Sequence, residues 1–443
     1  MRNDHLLPDQ VLQTVHSRLT CIAGERLGGG GQGSVYRCRI DGVEAALKWY
    51  SDDYHQRIDP GVRARLETAY RLGAPAANFL WPFELVSHRD GSGLGYVMPL
   101  RPARFREMQE LMRDEVQTSF VALAKLGFHL ADSMLKLHAK GLCYQDINFG
   151  NLFFDPETGE ACICDNDNVD IDGSPSQMAG TFGFQAPEIV RGEAYPRIQT
   201  DLHALAVLLF LVLMVQHPLV GRRATQFEAW DQQAQFTLYG SDPLFIFDPG
   251  NDLNAPLPDD TALRYWPIYP RFLRELFIRS FTIGLHDPVN GRVRESEWRQ
   301  AMSRLRDCVH PCRHCDAENF YDQSALAEGG LPPCWSCGAP QAPAARVRIG
   351  NSIVMLYPGA ELYPHHVGHS DCDFSRACAR VAVGDAGDLQ LVNCGSAAWR
   401  PSGSDIEIGA GQSIPIRHGM RVHFLFEQGS GKGLVSGDFR VDP

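Results

Sequence analysis

One stretch limits the folds open to this chain. Leu27-Gly28-Gly29-Gly30-Gly31-Gln32-Gly33-Ser34-Val35 holds Gly28, Gly30 and Gly33 in Gly-x-Gly-x-x-Gly spacing. Glycines let backbone amides approach phosphate oxygens with no side chain between. On its own the pattern serves a Gly-rich hairpin as well as a dinucleotide site. The residues that follow narrow the choice. A dinucleotide-binding turn opens a helix straight after its glycines, whereas Ser34-Val35-Tyr36-Arg37-Cys38 reads as a strand. A further β-type run, Ala45-Ala46-Leu47-Lys48, then puts a positive charge where a third strand would return it beneath the phosphates.

The chain has 443 residues, which suggests about three domains. Its net charge of −12 disfavours a nucleic-acid or anionic-membrane binder, which needs a basic face. The longest apolar run, Ala204 to Val215, is far short of the roughly 20 residues of a membrane span. The start, MRNDHLLPDQ, has no apolar signal region, so the expectation is a cytoplasmic protein with reduced thiols. The 13 cysteines are odd in number and unevenly placed, which favours a metal site over a disulfide framework.

Along the chain, residues 119–139 carry Leu123, Leu126, Leu130, Met134 and Leu137 on one helical face, and 201–215 reads as a buried helix. The fold class is α+β. Residues 1–20 are taken as an N-terminal extension, 21–305 as one large domain, 306–340 as a cysteine-bearing ribbon, 341–346 as a linker and 347–443 as an all-β sandwich.

Several short motifs follow Lys48 in order. Glu67 is the only acidic residue between Asp59 and Glu84 and sits in a helical stretch. Tyr144-Gln145-Asp146-Ile147-Asn148-Phe149-Gly150-Asn151 follows the long amphipathic helix, and Ile163-Cys164-Asp165-Asn166-Asp167 follows a hairpin at Asp155–Gly159. Thr181, Ala186-Pro187-Glu188, Asp201 and Arg292 come later. Together they resemble the bilobal protein-kinase family, of the bacterial serine/threonine type, over residues of about 20 to 305.

That resemblance implies ATP and Mg²⁺ or Mn²⁺, with Asp146 taking or orienting the substrate hydroxyl proton and Asn151 and Asp165 holding the metal. It implies an ion pair between Lys48, which holds the phosphates, and Glu67; a solvated helix charge is the other reading of Glu67. Gly28, Gly30, Gly33, Val35, Ala46, Lys48, Met98 and Leu100 would line the nucleotide, with Met98 as gatekeeper and 99–101 as hinge. Thr181 would support Asp146, and Glu188 would pair with Arg292. Asp201 is read as the family's structural aspartate, as a plain helix N-cap, or as both.

The chain also departs from the family. Tyr144 and Gln145 replace a histidine and an arginine, and Asn148 replaces a lysine that steadies the γ-phosphate. Asp-Asn-Asp replaces Asp-Phe-Gly, so Asp167 is either support behind Asp165 or a plain turn carboxylate. Without an arginine at 145, an activation-segment phosphate has no cation there to meet. Two functions stay open: transfer of the ATP γ-phosphoryl group to a protein Ser or Thr (or to the chain itself), and a pseudokinase scaffold that binds nucleotide and recruits partners.

Cys312-x-x-Cys315 and Cys334-x-x-Cys337 have the spacing of a four-thiolate Zn²⁺ site. Cys308, His310 and His314 are alternative ligands at poorer spacing. Arg313 faces four acidic residues in this ribbon, so protein contact is a better role than reading nucleic acid. In the tail, Phe374-Ser375-Arg376-Ala377-Cys378-Ala379 resembles the Ser-Arg-x-His-Ala segment of forkhead-associated domains, without the upstream arginine that holds phosphothreonine near Val367-Gly368-His369. The three modules together are similar to bacterial kinases associated with a von Willebrand-type protein and a metal-dependent protein phosphatase, which those kinases' partners would then be here beside a protein substrate.

Overall fold

The computed structural model describes residues 5–175, 180–342, 344–368, 372–428 and 431–440. Residues 176–179 of the activation segment and His369 lie outside these. Two compact units are present. The first comprises 1–118, 129–261 and 277–297; the second comprises 119–128, 262–276 and 298–443. The division therefore falls inside the expected 21–305 domain rather than at its end.

The first unit begins with a closed antiparallel barrel. Its strands are β1 (Val11–Thr14), β2 (Thr20–Gly29), β3 (Gly33–Ile40), β4 (Val43–Tyr50), β5 (Glu84–Ser87) and β6 (Gly95–Met98), in the order β1-β2-β3-β4-β6-β5. The sequence reading placed residues 1–20 outside the domain. Instead β1 pairs with both β2 and β5 and closes the barrel. Four residues with one buried leucine and one buried threonine are too short a pattern to announce a strand.

Strand alternation sorts β4 into two faces. Ala45, Leu47 and Trp49 join the core that holds Leu12, Cys21, Tyr36 and Val97. Ala46 and Tyr50 join the other core, with Leu66 of helix α1 (Val62–Leu72), Tyr96 and Met98. Lys48 shares the face of Ala46 and Tyr50, opposite Val35 on β3 and Tyr96 on β6.

The helical part of the first unit is organised on Ile198–Met214, buried from Thr200 to Met214. Phe210 meets Phe245, Phe277 and Phe281 edge to face, at 5.6, 5.1 and 5.9 Å between ring centres. Such pairs add to plain area burial.

In the second unit, Val309–Pro311 pairs with Glu318–Phe320 beside the cysteines. Two antiparallel sheets follow, one of five strands and one of four. They share one apolar core that includes Val347, Leu362, Val381, Leu391, Trp399 and Phe424.

Candidate active site

Lys48 sits at the centre of the barrel-side machinery and uses all three of its ammonium protons. They go to Gln32 Oε1 at 2.5 Å, to Asp165 Oδ1, and to the Asp167 carboxylate at 2.9 and 3.1 Å. Burial alone would discharge Lys48, but Asp167 and then Asp165 outweigh it and hold its ammonium above its ordinary value. Burial, then repulsion from Asp167, lifts Asp165 to about 6 against the pull of Lys48. Burial penalises Asp167 as well, yet Lys48 and the Tyr50 hydroxyl overcome it and hold that carboxyl below the usual range.

Glu67 is not brought to Lys48. It pairs with Arg63 at 3.4 Å and Arg71 at 3.7 Å along its own helix. The reason is helix phase: α1 buries Val62, Leu66 and Ala69, and position 67 lies about 100° around from Leu66. The solvated reading of Glu67 is what the structure has, and Lys48 takes its carboxylates from the Asp-Asn-Asp segment.

Asp146, Thr181 and Asn151, which the kinase resemblance groups together, are neighbours in the structure. Asp146 Oδ1 accepts from the Thr181 hydroxyl at 2.8 Å, and Asn151 Nδ2 donates to the Asp146 carbonyl at 2.9 Å and to its Oδ2 at 3.3 Å. Asn148, in the family's lysine position, braces the loop instead. Its Nδ2 donates to the Asp146 carbonyl at 3.1 Å and its Oδ1 accepts from Gly150 N–H at 2.7 Å. The Cys164 N–H donates to the Asn151 carbonyl at 2.9 Å, so the two proposed metal ligands, Asn151 and Asp165, stand on neighbouring backbone. Tyr144, where the family has histidine, donates its hydroxyl to the Cys164 carbonyl and ties the loop to the same segment. Asp165 is left-handed at φ 55°, a region that aspartate tolerates better than most side chains.

Asp201 accepts from the backbone N–H groups of Tyr144 and of Gln145, the latter at 3.1 Å, and from His138 at 3.1 Å. It makes no cap to its own helix, whose N-cap is Arg197, so the structural reading holds and the N-cap reading does not. Glu188 and Arg292 form the expected pair, two contacts of 2.8 Å with the arginine side chain 2% exposed.

The residues present suit a nucleotide and an oxygen-loving cation. Val35 and Leu100 pack half-buried against the cluster of Ala46, Met98 and Cys162, an apolar seat on the hinge side. A Cβ on Gly28 or Gly30 would meet nothing within 4 Å, whereas one on Gly33 would stand 2.1 Å from the Trp49 carbonyl oxygen. Gly33 is thus demanded by strand packing, and Gly28 and Gly30 keep their surroundings open. Carboxylate and amide oxygens, as at Asp165 and Asn151, are the donors magnesium prefers.

The four cysteines of the second unit, Cys312, Cys315, Cys334 and Cys337, place their sulfurs within 4.8 Å of one another. Cys312 and Cys337 are 3.8 Å apart at sulfur, and so are Cys315 and Cys334. Four thiolates around zinc at roughly 2.3 Å have tetrahedral edges of about 3.8 Å. Each pair sits on a matched turn. Asp316 N–H donates to the Cys312 carbonyl at 3.0 Å and Gly338 N–H to the Cys334 carbonyl at 2.8 Å, both residues left-handed. Cys308, His310 and His314 are not part of the cluster.

Lys48 with Asp165 and Asp167, and Asp146 with Thr181 and Asn151, thus stand in the first unit, and Gln32 of the glycine-rich stretch accepts from Lys48. A family model described as the protein kinase domain matches residues 22–246, just over half of the chain, and the chain belongs to that family. It is 24% identical over 207 residues to the serine/threonine-protein kinase mos of Patiria pectinifera, covering 44% of this chain and 57% of that one. It is 22% identical over 216 residues to the probable serine/threonine-protein kinase drkD of Dictyostelium discoideum, covering 46% and 16%. With protein kinase C delta type of Mus musculus the identity is 34% over 89 residues, 19% of this chain and 13% of that one. The chain thus spans little more than half the length of the first of these relatives and far less of the others. No helix among the described residues is long and apolar enough to cross a membrane.

Proposed function

We propose that this chain is an ATP-dependent serine/threonine protein kinase using Mg²⁺ or Mn²⁺. The observation that carries the reading is Asp146 held between Thr181 and Asn151 while Lys48 faces Asp165. The substrate hydroxyl oxygen attacks the γ-phosphorus and its proton passes to the Asp146 carboxylate. The bond from phosphorus to the bridging oxygen breaks, and ADP leaves. Lys48 orients the α and β phosphates, the glycine loop covers them, and Asn151 and Asp165 hold the cation. Bound by these two residues, the cation would supply neutralisation of the phosphate charge that the leaving oxygen develops.

The second unit contributes a zinc ribbon and a forkhead-associated-like sandwich for partner contacts. Support for the ribbon is the sulfur spacing; support for the sandwich is two sheets around one core. The association with a von Willebrand-type protein and a metal-dependent phosphatase, and the bacterial kinship, rest on the sequence resemblance alone.

The test is a phosphotransfer assay with Asp146→Asn. Loss of a positioned base should lower kcat about 10²- to 10⁴-fold. An unchanged rate sinks the kinase reading, and wild type that binds ATP but transfers nothing returns the scaffold reading.

A further inference from the structure

We infer that Asp167 is the positioning residue for Lys48, doing from within the metal-binding segment what a glutamate of α1 would otherwise do. The assignment rests on the kinase reading above and deepens it. Three observations carry it.

The first is the geometry around the lysine. Both oxygens of Asp167 lie within 3.1 Å of Lys48 Nζ, while the one acidic side chain of α1, Glu67, is engaged with Arg63 and Arg71. The second is burial. Lys48 meets two carboxylates of different character: the Asp165 side chain is 30% exposed and the Asp167 side chain is 1% exposed. Only the outer one is placed to receive a cation arriving with nucleotide.

The third is how firmly Asp167 is held. Tyr50 donates its hydroxyl to the carboxylate, the Tyr96 hydroxyl lies at 3.5 Å, and Arg65 Nε donates to the Asp167 carbonyl at 3.2 Å. Its neighbour Asn166, where the family has phenylalanine, is fully buried and donates to the carbonyls of Leu80 at 2.9 Å and Ile163 at 3.2 Å. A buried carboxylate is costly unless it is paired and hydrogen-bonded, and Lys48 and the Tyr50 hydroxyl supply those partners here.

The division of labour follows from charge. A divalent cation on Asp165 repels the ammonium that now shares it. Asp167 keeps Lys48 from following the repulsion out of the site, and the ammonium N–H that leaves Asp165 turns to a phosphate oxygen while Lys48 stays protonated. Gln32, which accepts from Lys48 in this structure, gives way in the same fashion. Without Asp167, Lys48 would fall wholly to Asp165 and compete with the metal there.

The test is calorimetric titration of the full chain with ATP at several Mg²⁺ concentrations, for wild type, Asp167→Asn, Asp167→Glu and Glu67→Gln. Melting curves without nucleotide check folding. Asp167→Asn should raise the Kd for ATP tenfold or more and raise the Mg²⁺ concentration needed for half-maximal binding. The second shift is one that a purely structural role would not produce. Glu67→Gln should have the smaller effect on both. Wild type that binds ATP while Asp167→Asn matches it, or while Glu67→Gln costs as much, overturns this assignment alone. Wild type that binds no ATP overturns the kinase reading and the assignment together. If Asp167→Asn does not fold, Asp167→Glu decides. A Kd nearer to wild type than that of Lys48→Met supports the charge argument, and a Kd equal to it refutes the argument.

Discussion

Two sites in this chain crowd reactive groups into a small volume, by opposite means. The four cysteines come from two turns, each closed by its own backbone hydrogen bond and each with a left-handed residue at the same step, Asp316 or Gly338. Lys48, Asp146, Asp165 and Asp167 come from a barrel strand, a loop and a short segment more than 100 residues from Lys48, and only the fold of the first unit assembles them. A turn-made site carries its geometry in local spacing and would borrow its stability from a bound ion. A fold-made site needs no ion to exist, but its partners are decided by packing at long range.

Removing zinc should produce the largest effect, because the ion would tie together two cysteine turns whose sulfurs lie within 4.8 Å of one another. Metal affinity in such ribbons amounts to about 10–16 kcal/mol, and that energy is folding energy. Purified protein should contain one zinc per chain. Chelation, or Cys334→Ser, should abolish hydrogen-exchange protection between residues 308 and 340 while leaving ATP binding within tenfold of wild type. Elemental analysis without zinc refutes the metal. Loss of ATP binding together with the ribbon breaks the contrast between the two sites.

The same contrast explains what the sequence disclosed. The cysteines are legible because fixed residue types at fixed spacing suffice to name them, whereas the Asp146–Asn151 loop and the Glu188–Arg292 pair are legible through the resemblance to the kinase family. The long helices were legible because Phe120–His138 and Ile198–Met214 are long enough for an apolar pattern to be unambiguous. The kinase resemblance points to Glu67, the only acidic residue between Asp59 and Glu84, as the partner of Lys48, but nothing in the sequence states the rotational phase of α1 about the barrel. The sequence alone leaves Asp167 as either support behind Asp165 or a turn carboxylate, because its partner Lys48 is 119 positions away. The one available signal was a second carboxylate two residues after Asp165, where the family has glycine. Strand β1 was missed because its role, closing the barrel against β5, is a tertiary fact.

An intermediate effect, and a way to sharpen the contrast, is pH. His138 lies between Asp201, at 3.1 Å, and Glu295, and Asp201 also holds the backbone of Tyr144 and Gln145. Burial works against a charged His138, but the two carboxylates overcome it and lift it to about 9 from 6.5. A raised folded value means that this stabilisation is fully present below about pH 6.5 and is lost as pH rises through about 9. The loss should be on the order of 3 kcal/mol. Denaturant midpoints at pH 6, 8 and 10 should fall with pH, and His138→Gln should flatten that dependence. A variant with the same slope as wild type removes His138 from the account. The thiolate site should respond in the other direction, releasing zinc as pH falls.

The smallest effect concerns the tail, where the sequence suggested a phosphothreonine reader lacking its arginine. The structure adds a second obstacle. Ser375, which would present its hydroxyl to phosphate, donates both its N–H and its Oγ–H to the Asp373 carboxylate, each at 2.8 Å. An acceptor-only group therefore occupies the donors that a phosphate needs, and it repels the phosphate charge as well. The missing charge-assisted contact is worth about 1.5–3 kcal/mol. At 1.4 kcal/mol per tenfold, that is roughly 10- to 150-fold in affinity. Titration of the full chain with a phosphothreonine peptide library should therefore show no binding in the low-micromolar range, and Asp373→Asn should improve the weak residual binding by at most a few-fold. Low-micromolar binding that Ser375→Ala abolishes would place a working phosphate site on this loop, and the tail would then recruit phosphorylated partners rather than bare protein surfaces.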